Sequence, residues 1–146
     1  MTGKSRKLPL AAGVALMVAF GGSALAHHSF SVEFDAKKPL KIEGKVLKFE
    51  WVNPHSWIHV ESVDPATNKR VVWRVEGGAP SALLRRGWNR NSLPPGTRIQ
   101  VQGFASHDND NRASAAEITF PDGRQLSLGN PATEAVAAAA KRASKN

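Results

Sequence analysis

The amino-acid sequence predicts a mainly β fold, a small OB-like five-stranded barrel with one short helix between strands 3 and 4. Short runs of alternating apolar residues are separated by turn residues. The first run is long and changes parity, and a helical pattern interrupts the series once, after the third run. A small open antiparallel sandwich would fit the same pattern. The length of 146 residues corresponds to one domain, and the absence of cysteine excludes a disulfide scaffold, a zinc ribbon, an iron–sulfur protein and a thiol enzyme.

The first predicted strand covers Leu40 to Val52. Ile42 and Val46 share one parity, whereas the next apolar residues take the other: Leu47, Phe49 and Trp51. A change of parity close to Gly44 indicates a bent or bulged strand that serves two faces of a curved sheet.

The second and third predicted strands cover His55 to Val63 and Arg70 to Glu76. In the second, Ile58 and Val60 occupy one side, and the other side carries Trp57, His59 and Glu61. The third alternates, and its pattern places Val71, Trp73 and Val75 inward and Val72, Arg74 and Glu76 outward.

The remaining elements follow in order. A short helix is predicted from Pro80 to Gly87, with proline in its first turn, cations in its last turn and glycine at its end. Strands are predicted from Thr97 to Phe104 and from Ala113 to Phe120, and a turn at 121–123 sends the chain back through Leu126 and Leu128. Of the four tryptophans, we expect all but Trp57 in the core.

The amino-terminal segment predicts export. Residues 1–26 combine a basic start, an apolar run of about a dozen residues and an Ala24-Leu25-Ala26 end, which is the pattern of a cleaved signal peptide. The run is short for a membrane span of ~20 residues, although an uncleaved anchor is the alternative. We therefore expect a periplasmic protein without stable membrane insertion, made of an OB-like domain over 27–130 and an Ala-rich flexible tail, or a marginal helix, over 131–146.

The net charge of +8 does not predict a nucleic-acid partner. Three basic residues leave with the signal peptide, and the tail is itself basic, so the central domain is nearly balanced. Export also fits poorly with nucleic-acid binding.

Histidine is the residue type that predicts a specific chemistry. Cleavage after Ala26 makes His27 the first residue of the mature chain and His28 the second. The α-amine and the imidazole of a terminal histidine titrate near ~8 and ~6.5, so both can act as neutral ligands. One further imidazole would complete a three-nitrogen planar set, which Cu(II) favours. The sequence thus predicts a possible copper site of the histidine-brace type.

His55 is the predicted third ligand. It lies at the start of a strand, where it can converge with the amino terminus, whereas His59 lies four residues further along that strand. Four strand residues span roughly 13 Å, so one metal ion cannot bind both. His28 points away from His27 in an extended terminus but can act as a ligand in a turn, whereas His107, in an Asp/Asn-rich loop, is a poor candidate.

A metal-free alternative remains open. The two terminal histidines can be a solvated chain end, and Asn53-Pro54-His55-Ser56 can be a structural turn. Trp57 and His59 would then belong to a surface that binds a peptide, a glycan or a partner protein. No catalytic residues are predicted, because the sequence has no nucleophile motif, phosphate loop or H-E-x-x-H motif.

Several motifs resemble a family of small exported bacterial proteins classed as a domain of unknown function. They are His27-His28-Ser29-Phe30, Trp51-Val52-Asn53-Pro54-His55-Ser56-Trp57, Gly78-Ala79-Pro80, Leu83-Leu84-Arg85-Arg86-Gly87-Trp88 and Pro121-Asp122-Gly123-Arg124. The resemblance covers nearly all of 27–128. It implies a periplasmic domain in Gram-negative bacteria and supplies no catalytic residues.

Overall fold

A computed structural model describes residues 30–108 and 110–145 of the chain. Six strands form one sheet: β1 (Phe34–Glu50), β2 (Trp57–Val63), β3 (Arg70–Glu76), β4 (Arg98–Ser106), β5 (Arg112–Thr119) and β6 (Gln125–Ser127). The described part of the chain also contains three short helices: α1 (30–33), α2 (Pro80–Leu84) and α3 (Pro131–Ala143). The mainly β prediction is confirmed, but the sheet has six strands rather than five. The return through Leu126 forms β6.

The first five strands close into a ring. Antiparallel pairs join β1 to β2, β2 to β3, β1 to β4 and β4 to β5, and a parallel pair joins β3 to β5. β6 adds to the other side of β5 by antiparallel pairing. The ring brings the end of β3 next to the start of β5, because Glu76 pairs with Ser114.

β1 is the strand that bends. Its pairing with β2 shifts register between Val46 and Lys48, which confirms the predicted bulge and places it just after the change of parity. Ile42 and Val46 are buried, whereas Leu47 at the bulge is exposed. Phe49 returns to the core side.

The core fills the ring. Fifteen buried residues make one cluster: Ile42, Val46, Ile58, Val60, Val75, Leu83, Trp88, Leu93, Ile99, Val101, Ala113, Ala115, Ile118, Phe120 and Leu128. Trp51 and Trp73 pack against this cluster and are partly buried. α2 is shorter than the predicted helix: it ends at Leu84, and Gly87 adopts a positive φ of 86° in the turn that follows. That turn delivers Trp88 into the core, where its Nε1 donates to the Ser127 carbonyl at 2.7 Å.

A second, smaller cluster joins the two ends of the described chain. Phe30, Phe34 and Phe104 pack together with Ala132 of α3. The first turn of α3 is therefore buried against the sheet: Ala132 is 3% exposed and Thr133 is 0% exposed. The sequence predicts a flexible tail or a marginal helix over 131–146; in the structure, Pro131–Ala143 form α3, and the first turn of this helix contacts the domain.

Candidate functional site

His55 lies on the segment that leads from β1 into β2, after a cis Asn53–Pro54 peptide bond. The next residue fixes its position. Ser56 is fully buried; its backbone N and its Oγ both donate to the Gly78 carbonyl, at 3.1 and 2.9 Å, and its own carbonyl accepts from Gly77 N at 2.9 Å. This ladder continues the β2–β3 pairing beyond the strands and holds His55 beside the end of β3.

His55 makes one ion-pair contact, with Glu76. Its Nδ1 lies 3.0 Å from Glu76 Oε1, and the two side chains are 41% and 5% exposed. The imidazole therefore has one nitrogen against a buried carboxylate while much of the ring faces solvent. Within the described residues, no hydrogen-bond or ion-pair partner faces His55 Nε2.

Glu76 is the one buried carboxylate of the described chain. The alternating sequence pattern predicts that the Glu76 side chain points outward. This prediction is wrong, because the side chain is buried. Two neighbours from outside the strand contact the same oxygen of its side chain: His55 Nδ1 lies 3.0 Å from Oε1, and Asn130 Nδ2 donates to Oε1 at 3.4 Å. Burial raises the pKa of Glu76, and the nearby charge of Glu33 raises it too, whereas His55, Asn130 and Arg112 act in the opposite direction.

The segment before β1 lies on the same side of the ring as Glu76. Glu33 of α1 influences the pKa of Glu76, and its Oε2 lies 3.6 Å from Arg112 Nη1. Phe30 anchors this segment in the smaller apolar cluster, with its ring centroid 5.7 Å from that of Phe104. His107 adds two contacts: its backbone N donates to the Glu33 carbonyl at 3.1 Å, and its Nε2 lies 3.1 Å from the Ser31 carbonyl.

The predicted ligands His27 and His28, and the predicted signal peptide, lie outside the described residues. Among the residues that are described, no three His, Asp or Glu side chains form a group that could hold a metal ion. Of the three predicted metal ligands, His55 is therefore the one that lies within the described residues.

Trp57 and His59 lie in β2, just after His55, and their side chains contact residues of the neighbouring strands. His59 Nε2 lies 3.0 Å from Glu50 Oε1, and the Arg74 guanidinium carbon lies 4.6 Å from the centroid of the Trp57 ring. Both side chains are partly buried on the face opposite Ile58 and Val60, as the alternation predicts.

The carboxylate of Glu50 contacts both Lys48 and His59. Hydrogen bonding from Lys48 Nζ, 2.8 Å away, is the largest cause of its lowered pKa, and His59 contributes in the same direction. His59 is thus paired with a carboxylate of β1, while His55 is paired with one of β3. The structure does not bring the two histidines onto a common acidic partner.

The comparisons with known proteins place the chain in a family. Residues 15–115 match DUF6152, a family of unknown function. The chain belongs to this family. The DUF6152 match includes His55, Glu76 and Arg112 but ends before Asn130 and α3. No curated protein and no solved structure matches the chain. In the described residues, no helix is both long enough and apolar enough to cross a membrane.

Sequence reasoning identified His55 but missed Glu76 and Asn130. A buried glutamate at the end of an alternating strand has no sequence signal of its own, because its burial depends on residues 21 positions before it and 54 after it. Asn130 did carry a usable signal: Asn-Pro followed by helix-forming residues is the start of a helix with an asparagine cap.

Proposed function

We propose that the protein is an exported, OB-type barrel domain that binds Cu(II) through the amino-terminal histidine of its mature chain and His55. The closed order β1–β2–β3–β5–β4 supports the OB assignment. The proposed role is binding, and no catalytic step is assigned to any residue.

The contact between His55 and Glu76 is the observation that carries this proposal. A metal-bound histidine characteristically donates its second ring N–H to a carboxylate, which fixes the tautomer and the ring orientation. With Nδ1 donating to Glu76, the lone pair of His55 lies on Nε2, on a ring that is 41% exposed. The imidazole is thus held as a ligand would be, with the coordinating nitrogen available.

The position of α1 supports a contribution from the amino terminus. His27 precedes Phe30 by three residues, and three residues of extended chain span at most ~11 Å. Because Glu33 contacts Arg112 at the start of β5, beside the end of β3, and Phe30 is anchored, a chain that begins at His27 would have its amine and first imidazole restricted to this side of the ring. His28 is the alternative second imidazole.

Copper is favoured over harder cations by the chemistry of these donors. An amine and two imidazoles give nitrogen ligands only, and Cu(II) has the highest affinity of the divalent first-row metals for such sites. Calcium and magnesium would require several oxygen ligands instead.

Isothermal titration with Cu(II) tests the proposal. The chain beginning at His27 is compared with the same chain carrying three additional glycines before His27, which separate the amine from the first imidazole and place no histidine at the second or third position. We expect the extension to weaken copper binding by at least about tenfold, in line with the loss of a ligand. Equal and weak affinities for the two chains would contradict the proposal.

A second candidate function is metal-free binding of a peptide, a glycan or a partner protein at the face around Trp57 and His59. The specific observation in its favour is the Arg74 side chain stacked on Trp57 at 4.6 Å, a flat cationic and aromatic surface next to the Glu50 carboxylate. Metal-free binding at this face is the candidate function that would remain if the titration contradicts copper binding.

A further inference from the structure

A chain of polar contacts leads from His55 through the buried Glu76 to the beginning of α3. Glu76 Oε1 lies 3.0 Å from His55 Nδ1 and accepts a hydrogen bond from Asn130 Nδ2. Asn130 Oδ1 accepts from the backbone N of Thr133 at 3.0 Å and from its Oγ1 at 3.1 Å. Thr133 Oγ1 also lies 2.6 Å from Ser114 Oγ, and both of these residues are buried.

Asn130 is held in one orientation by these contacts. The oxygen and nitrogen of an asparagine amide are assigned from the hydrogen bonds around them. Here two donors from Thr133 require the oxygen on the helix side, so the NH₂ group must face Glu76. Asn130 thus caps α3 and, with the other half of the same amide, donates to the carboxylate that contacts His55.

We propose that Asn130 is a positioning residue of the copper site, which holds the Glu76 carboxylate in place to orient the His55 imidazole. The inference rests on the proposed copper function. It makes α3 a structural support of the site, although α3 lies outside the part of the chain that matches the family.

A second anchor of α3 provides a matched control. Arg86 Nη1 donates to Glu134 Oε1 at 2.5 Å and to the Gly129 carbonyl at 2.7 Å, and Ser127 Oγ also donates to Glu134. No contact of Arg86 reaches Glu76 in the described residues. Its removal loosens α3 without touching the carboxylate.

The test uses Asn130→Ser in the full chain beginning at His27, with Cu(II) titration and thermal unfolding of the metal-free protein. Serine caps a helix about as well as asparagine, but it has no amide to reach Glu76. We expect copper binding to weaken about tenfold, as for other residues that support a metal ligand, with only a small decrease in Tm from the lost hydrogen bond to Glu76. Arg86→Ala should lower Tm more than Asn130→Ser does and weaken copper binding less, because the Asn130 amide and the Glu76 carboxylate are both still present.

The interaction with His55 separates positioning from a general effect. If Asn130 acts through His55, then Asn130→Ser has no effect on copper affinity in a His55→Ala background. Full copper affinity in Asn130→Ser, together with a loss in His55→Ala, would overturn this inference and leave the copper function standing. Full affinity in His55→Ala would overturn both.

Discussion

Glu76 shows how a single buried carboxylate can define a site. An ionised carboxylate is costly to bury unless it is paired and hydrogen-bonded. Glu76 meets this condition with His55 and Asn130, which come from distant parts of the chain. The alternating pattern of β3 correctly predicts the inward side of Val75, but no local pattern could predict what would cover the other side.

Asp110, in the loop before β5, is a second carboxylate whose surroundings lead to a testable effect. Ser106 Oγ donates to Asp110 Oδ1 at 2.5 Å, and Arg112 Nε lies 2.9 Å from Oδ2. The hydrogen bond from Ser106 is the largest cause of the lowered pKa of Asp110, and Arg112 adds to it. The charged form is therefore favoured in the folded protein.

We expect Asp110→Asn to reduce stability at neutral pH but not in acid. A carboxyl whose pKa is lowered by folding stabilises the protein above its unfolded value of 3.8, and this contribution is lost as the pH falls through the folded value. Urea unfolding of both proteins between pH 7 and pH 2 measures the difference. Asp108→Asn, an exposed change in the same loop, is the control. A difference that is independent of pH would contradict the assignment.

At the scale of elements, Gly44 determines how β1 takes part in the ring. It pairs with Ser62 of β2 on one side and with Ile99 of β4 on the other. A Cβ at this position would overlap the Glu61 carbonyl oxygen and approach Val60 Cγ1 to 2.6 Å. Glycine thus permits the close approach of β1 and β2 just before the bulge.

Gly44→Ala should accordingly destabilise the protein by about 3 kcal/mol, the upper range for overpacking of a core, because backbone atoms on β2 must move. The free energy of unfolding in urea measures this. Glu43→Ala, an exposed neighbour on the same strand, should change it by less than about 0.5 kcal/mol. If the two variants are equally stable, β1 and β2 do not approach each other as closely as described.

The sequence predicts where the strands lie better than it predicts where they begin and end. β3 has the predicted bounds, Arg70–Glu76, because clear alternation meets turn residues at both ends. β1 begins at Phe34, six residues before the predicted start, because pairing with β4 extends an otherwise polar stretch. Pairing with a neighbouring strand, unlike alternation, is not visible in a single run of residues.

At the scale of the whole molecule, the ring and the Asn130 cap of α3 together make the candidate site. The sequence predicts His55 from its place at a strand start, and the structure adds the carboxylate and the amide behind it. The contacts among these three residues could not be predicted, because closure of the ring and docking of α3 bring them together. The residues predicted to complete the copper site, His27 and His28, lie outside the described part of the chain.

A count of the nitrogen ligands of bound Cu(II) tests the proposed copper site most directly. Pulsed EPR of the copper-loaded chain beginning at His27 counts the coordinating imidazoles through their remote nitrogens. We predict that His55→Ala removes one imidazole from the count, whereas His59→Ala, with its histidine paired to Glu50, leaves the spectrum unchanged. Identical spectra for the wild-type and His55→Ala proteins would contradict a copper site that includes His55.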